Sequence, residues 1–519
     1  AEQTGITNIK DDKYGQDSTV IAALVDHKIQ DLNYEIAIEH EISFISYYHE
    51  EGRRTYIRSL CFVMQNAVRR IFPDKILFVD HSIPSGLYCE IHETQKLDDG
   101  KPQKYFLTDD EIGSIKEKMK EIISWDLPIR TKRILSSEAE AIFTKNNQPL
   151  KAALLKSMGT FLCEVSELDN QIDTFYGPLV ESTGVLSTFD MIGFADGVCL
   201  QLPSINNLGS IMPMKRQSKI ASALSEFSAW CDMLDVSGIG KLNEAIKSGN
   251  AIKIINLAEA LHERKYAAIA DQIYQRRGQV KIVMIAGPSS SGKTSSSLRI
   301  AMQCKVLGLN PKVIELDNYF VDKVNTPLDE NGQYDFESLH ALNLELLNKQ
   351  LNDLLEGKEV ELPRYDFKSG KSVFEGNMMQ LGEKDILIME GIHALNPEMT
   401  SAVDDSKIFR VFVSALTSLN IDENNTNSTS DNRILRRMVR DNRTRGLTPE
   451  KTIGMWHSVR RGEARNIFPF QENADIIFNS ALIFELPMLK YYAEPLLRRI
   501  TENAPAYPEA QRLLKFLDP

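Results

Sequence analysis

The sequence predicts an α/β protein of several domains. A C-terminal phosphate-loop (P-loop) domain, with a mostly parallel sheet flanked by helices, follows N-terminal α+β modules. Three observations predict this. Residues 281–298 run from an apolar stretch through Gly287-Pro288-Ser289-Ser290-Ser291-Gly292-Lys293-Thr294 into a helix-like segment. Two later apolar stretches end in an acid, Asp317 and Glu390. Residues 20–205 mix short strand-like runs with amphipathic helices.

Bulk properties bound the function. At 519 residues the chain has room for about three or four domains. Hydrophobic residues make up 42% and charged residues 25%, ordinary for a globular protein with a full core. The net charge of −12 argues against a polyanion as the main partner. Cys61, Cys89, Cys163, Cys199, Cys231 and Cys304 are scattered without a C-x-x-C pair, which suits a reducing cytoplasm. No apolar run approaches a membrane span, and the polar start lacks a signal-peptide core.

Taken in order, residues 1–18 are polar and are expected to carry little structure. Strands are expected at 20–25 and 36–38, with a turn near Asp26 and His27, as in a small half-barrel or ubiquitin-like module. Residues 53–72 read as a helix with Leu60, Val63, Met64, Ala67 and Ile71 on its apolar face, ended by Pro73. Strands follow at 75–80 and 86–92. Thr108 and Glu111 form a capping box for a helix that runs to Trp125, before Pro128. Another helix fits 137–145. Residues 204–217 read as a linker, and 218–275 as helices using Ile220, Leu224, Phe227, Trp230, Ile254, Ile255, Leu257, Leu261, Ala268 and Ile273, with 262–265 as a solvated face. The predicted divisions are 1–50, 51–205, a helical connector at 206–277, and the P-loop domain at 278–519.

Residues 20–205 resemble the N-terminal part of threonyl-tRNA synthetases, a ubiquitin-like TGS module followed by an editing domain. The resemblance rests on Tyr56-Ile-Arg-Ser, Ala67-Val-Arg-Arg-Ile-Phe-Pro73, Ser85-Gly-Leu-Tyr-Cys-Glu90 and Leu127-Pro-Ile-Arg130. The editing enzymes' H-x-x-x-H pair falls at Arg58 and Phe62, and their later Cys-x-x-x-His pair keeps at most Cys199. A water-activating cluster needs its ligands together. The expectation is therefore a non-editing scaffold or regulatory module.

Residues 287–294 fit G-x-x-x-x-G-K-[ST] between a strand and a helix. There the glycines let backbone N–H groups and a helix N-terminus face an anion. Lys293 can reach the β- and γ-phosphates of a nucleoside triphosphate, and Thr294 can ligate Mg²⁺. Asp317 closes the strand at 312–316 on the sheet edge that faces the ligand crevice, where a carboxylate can accept a hydroxyl proton. Residues 384–391 read as a third buried strand ending in an acid, with Glu390 in the position of a second magnesium ligand. Arg433, Arg437 and Arg440 share a helix face, with Arg445 just beyond, and suit a lid over triphosphate oxygens.

Together these segments resemble the uridine kinase/phosphoribulokinase family over about residues 280–500. The matches are Asp317-Asn-Tyr-Phe320, Pro363-Arg-Tyr365-Asp366-Phe367, Glu390-Gly-Ile392, Arg436-Arg437-Met-Val-Arg440-Asp441-Asn-Arg-Thr-Arg445-Gly446, and Ala474-Asp475-Ile-Ile477. The resemblance implies ATP and Mg²⁺ as cofactors and a nucleoside 5′-hydroxyl as acceptor. It assigns Asp317 as catalytic base beside Lys293. ATP would lie on 287–294, on Ser295, and on Arg437, Arg440 and Arg445. Thr294 and Glu390 would hold the metal. Tyr319, Glu337, Tyr365, Phe367, Asp317 and Arg437 would line the acceptor. Two positions depart from the pattern. Glu337 replaces the family's ribose-binding Asp, and Gly370 stands where a His reads the pyrimidine edge. Sugars or polyols therefore stay open as acceptors, as does an RNA-associated ATPase. The expected partner is a nucleoside or other small hydroxyl-bearing substrate, without a membrane. Contact with tRNA through the N-terminal half and self-association are left open.

Overall fold

The computed structural model describes residues 8–10, 17–96, 102–214, 217–329, 332–417 and 419–519. The chain starts with β1 (Asn8–Lys10), β2 (Asp17–Val25), β3 (Lys28–Gln30) and β4 (Ile42–Ser46). All their pairings are antiparallel, and β2 takes the other three as partners. The rest of 1–18 lies outside the described residues, but Asn8–Lys10 is a strand where little structure was expected. Asp26 and His27 both hold positive φ, 47° and 63°, forming the two-residue turn of a hairpin. The strand expected at 36–38 is not formed, and Ile38 is exposed. Both edges of β2 are already paired, by β3 and by β4.

Next come α1 (Glu50–Ile71), β5 (Lys75–Ile83), β6 (Gly86–Lys96), β7 (Pro102–Tyr105) and α2 (Asp109–Ser124). The Thr108–Glu111 capping box starts α2 as expected. Helix α1 buries Tyr56, Leu60, Phe62, Val63, Met64, Ala67 and Val68 completely, so it is a core helix with more than one apolar face. Ile21, Tyr47 and Tyr48 join the same core, so packing continues across residue 50.

Then follow β8 (Arg130–Leu135), α3 (Ser136–Lys145), α4 (Pro149–Met158), β9 (Leu162–Leu168), β10 (Gln171–Asp173), β11 (Asp190–Phe194) and β12 (Gly197–Gln201). Strands β8–β10 form one antiparallel sheet, and β11, β12, β6, β5 and β7 another. Helix α4 was not foreseen, although Pro149 opens it and Gly159, at φ 65°, closes it. The expected linker contains a hairpin, β13 (Pro203–Ser204) with β14 (Asn207–Ile211).

The connector is α5 (Ser218–Met233), α6 (Ile239–Lys247) and α7 (Ala251–Gln275). Leu257 and Ala268 are exposed rather than packed. His262 belongs to no solvated face: its Nε2 lies 3.1 Å from the Ala481 carbonyl and its ring 5.3 Å from Phe478.

The C-terminal part holds β15 (Ile282–Ala286), α8 (Lys293–Val306), β16 (Asn310–Glu315), α9 (Leu344–Leu355), β17 (Val360–Glu361), β18 (Arg364–Asp366), β19 (Lys371–Val373), β20 (Met378–Met379), β21 (Asp385–Glu390) and β22 (Ile408–Ser414). It ends with α10 (Thr429–Thr444), α11 (Pro449–Asn466), β23 (Ile476–Asn479), α12 (Glu485–Leu497) and α13 (Tyr507–Leu517). Its main sheet runs β16-β21-β15-β22-β23, and every pair is parallel. β15, an apolar strand buried throughout, is central, and β21 beside it is buried from Ile386 to Glu390. No helix among the described residues is long and apolar enough to cross a membrane.

The two parts are joined through the strap 419–427 between β22 and α10. Val79 N–H donates to the Glu423 carbonyl at 2.8 Å, and Asn420 and Asn424 donate to the Val79 and Leu77 carbonyls. The Glu423 carboxylate accepts the Leu150 and Lys151 N–H groups at the start of α4, at 2.7 and 3.1 Å. The Lys151 ammonium pairs with Asp173 and, at 3.2 Å, with Asp422, all of them buried. A second link joins α1 to the last helices: Arg54 pairs with Glu509, Arg512 with Glu51 at 3.7 Å, and Arg460 with Glu50.

Candidate active site

Loop 287–292 follows β15 at the carboxyl edge of the parallel sheet. A Cβ on Gly287 would lie 2.0 Å from the Val413 carbonyl of β22, so only glycine fits there. Gly292 holds φ 89° and Ser290 φ 58°, which turn the loop into the first turn of α8. Arg436 supports the loop from outside. It donates to the Ser290 carbonyl at 3.3 Å and the Ser480 carbonyl at 3.0 Å, and it pairs with Glu485.

Lys293 sits at the centre. Its Nζ donates to the Gly287 carbonyl at 2.9 Å and the Pro288 carbonyl at 3.3 Å. Burial holds its pKa below the usual lysine range, against the pull of Glu390, Asp317, Glu337 and Glu463. Four carboxylates from four separate segments thus act electrostatically on one ammonium. Thr294 Oγ1, in the first turn of α8, donates at 2.5 Å to Glu390 Oε1 at the end of β21. Thr294 and Ser295 are exposed toward the cleft. Asp317, in the turn after β16, is open to solvent, yet neighbouring protein crowds it and pushes its carboxyl up, with Lys293 opposing. Burial and the like charge of Glu463 push Glu337 up to about 7.

The arginines divide their work. Arg437 Nη1 donates to Ser289 Oγ at 2.8 Å, on the loop itself. Buried Asp441 collects Arg437, Arg440 and Arg445 at 3.3, 2.7 and 3.7 Å, so the three expected lid arginines are brought together. Arg433 is turned away from them. It is 2% exposed, pairs with Glu463 and lies 5.3 Å from the Trp456 ring. It is a buried anchor and no phosphate clamp, because α10 packs that face against α11.

On the acceptor side, Phe367 is exposed, while Tyr365 is buried behind it at 5.0 Å between ring centroids. Phe320 and Phe336 extend this aromatic wall, at 5.4 Å from Tyr365 and 5.9 Å from each other. Tyr319 does not reach the cleft. It is 1% exposed and its hydroxyl donates to Gln350 at 2.8 Å, because the short turn after β16 points Asp317 outward and Tyr319 into the core. Gly370 holds φ 67° in the β18–β19 turn, and a Cβ there would lie 2.9 Å from Lys323 Cβ. No side chain fits where the family places its base-reading His.

Sequence reasoning missed Glu463, Asp441 and His393. Glu463 is 1% exposed and joins the loop to Arg433, and burial pushes its carboxyl up while Arg433 opposes. Asp441 had a signal: it stands four residues from both Arg437 and Arg445. His393, in the turn after β21, is 2% exposed. Burial lowers its pKa to about 4, with the Ser338 and Glu337 backbones opposing, so it is neutral.

A parallel sheet with a glycine loop on its central strand, an acid closing the next strand and an arginine helix over the loop is the architecture of a P-loop phosphotransferase. The sequence profile of the phosphoribulokinase/uridine kinase family matches residues 282–483. A uridine kinase of Macrococcus caseolyticus is 34% identical over 202 residues, 38% of this chain and 86% of that relative. A uridine kinase of Halalkalibacterium halodurans is 32% identical over 197 residues, 38% of this chain and 84% of that protein. A solved structure of a possible uridine kinase from Bacillus stearothermophilus is 18% identical, covering 38% of this chain and 89% of that one, with a TM-score of 0.26. The chain belongs to the phosphoribulokinase/uridine kinase family through its C-terminal part.

Proposed function

We propose that the C-terminal part transfers the γ-phosphate of ATP to a primary hydroxyl, that of a nucleoside 5′-position in the favoured case. The carrying observation is the glycine loop itself, with Lys293 bound to its Gly287 carbonyl and Thr294 held on Glu390 beside it. ATP lies on residues 287–295, with Lys293, Arg437, Arg440 and Arg445 neutralising its β- and γ-phosphates. Thr294 and Glu390, two hard oxygen donors already in contact, fit Mg²⁺ completed by phosphate and water oxygens, and that ion would supply charge neutralisation. Asp317 orients the acceptor hydroxyl and takes its proton. Glu337 and the Phe367 ring hold the acceptor. Transfer is in line and depends mainly on positioning.

Gly370 favours keeping a second acceptor class in view, sugars or polyols. The missing side chain removes a hydrogen bond of the kind that carries base discrimination. Release of ADP against a panel of nucleosides, sugar phosphates and polyols decides between them. Asp317→Asn should cut turnover by about 10²- to 10⁴-fold with ATP affinity nearly unchanged. Near-normal turnover would remove Asp317 from the role of base.

For residues 20–205 we propose a synthetase-like module that does not edit. In support, Arg58 donates to the Pro178 carbonyl at 3.1 and 3.2 Å, and Phe62 and Cys199 are wholly buried. These side chains serve packing.

A further inference from the structure

A carboxylate already occupies one donor of the phosphate loop. Glu463 follows Gly462 on α11, and its Oε1 accepts the Ser289 backbone N–H at 2.9 Å. Its Oε2 accepts the guanidinium of buried Arg433, on α10. Ser289 is also held through its hydroxyl by Arg437, again from α10. One loop residue is thus tied to both helices that follow the strap. A loop N–H is the kind of donor that a phosphate oxygen takes when an anion settles in the cradle. The negative charge of a triphosphate on Lys293 would lie beside Glu463, whose charge Lys293 already senses.

We propose that Glu463 is a positioning residue that sets nucleotide affinity. Its carboxylate holds the Ser289 N–H. A bound nucleotide takes that donor and leaves Glu463 to Arg433 alone. The inference rests on residues 287–294 being the ATP site. It adds a competition between an internal anion and the triphosphate.

Binding of MgAMP-PNP to the full chain, measured by isothermal titration calorimetry, tests this without any acceptor. Glu463→Gln keeps a neutral hydrogen-bond acceptor and removes the charge. Glu463→Asp keeps a charge for Arg433 and draws the carboxylate back by one methylene, away from Ser289. Both variants should bind the analogue about three- to tenfold more tightly, the range spanned by one net hydrogen bond. In turnover, the KM for ATP should fall while kcat does not rise. Unchanged or weaker binding in a variant that keeps the wild-type melting profile overturns the proposal. If one variant fails to fold, the other decides. A wild-type chain that binds no MgAMP-PNP instead overturns the nucleotide site itself, and the proposal with it. That outcome is distinct, because it is read on the unaltered protein.

Discussion

At the scale of single residues, the site is a problem of charge. Four carboxylates act on Lys293, and three of them, Asp317, Glu337 and Glu463, are held above the ordinary carboxyl range. Burial and the like charge of Glu463 push Glu337 up to about 7. Its proposed role, accepting hydrogen bonds from acceptor hydroxyls, needs the ionised form. Below its raised pKa it is protonated and the role is lost. Above that value the role is complete. Acceptor kcat/KM should therefore climb as pH rises to about 7 and level off beyond, since this ratio reports free-enzyme pKa values. Glu337→Gln should flatten that limb in a pH–rate profile. A limb of the same shape in the variant would assign the titration to another group. Tyr319 marks a limit of sequence reading at this scale. It stands two residues from Asp317 in a matched motif, yet its side chain belongs to the core. A motif gives residue order, and the turn geometry decides which side chain looks outward.

At the scale of elements, most of the site is local. Strand β15, its loop and α8 form one continuous stretch, and the glycines in it are there for backbone reasons. Gly287→Ala would drive a methyl group into the Val413 carbonyl, which a Cβ would approach to 2.0 Å. It should destabilise the protein by about 1–3 kcal/mol, as overpacked cores do. It should also weaken nucleotide binding more than 10-fold in a tryptophan-independent assay such as calorimetry, by roughly 1.4 kcal/mol or more. Wild-type affinity and melting temperature would mean that β15 and β22 can separate at no cost. The same logic explains the elements that were read correctly. Thr108 and Glu111 cap α2 within four residues, and Asp26-His27 turns its hairpin within two. Helix α4, with Leu150, Leu154 and Leu155 buried, is short and packs on α3 and α6, and β13 has only two residues; elements this short are marginal on local signals alone.

At the scale of the whole molecule, the N-terminal part and the kinase part share buried charge. Lys151 is 1% exposed, and its partners Asp173 and Asp422 are wholly buried. Glu423, also buried beside them, is pushed up to about 7 by burial, with Lys151 opposing. Lys151→Met removes the ammonium that pairs with Asp173 and Asp422. It should cost about 3–5 kcal/mol, because the charges left behind are buried and unpaired. Urea unfolding of the full chain measures this, and a loss below about 1 kcal/mol would show that water or protonation relieves the cluster. The strap that carries Asp422 and Glu423 leads directly into α10, which brings Arg437 and Asp441 to the loop. The N-terminal part thus packs on the segment that positions the arginine helix.

The sequence by itself determined the donor end of this protein. The phosphate loop, the acids that close two parallel strands and the arginine run are short motifs whose geometry follows from a strand, a turn or a helix. Only the tertiary structure decided the rest. It brought Glu463 to Ser289, gathered three arginines on Asp441, sent Arg433 and Tyr319 inward, and closed Gly370 against Lys323. Each depends on segments far apart in the chain or on which face of an element is covered, and local periodicity carries no information about distant partners.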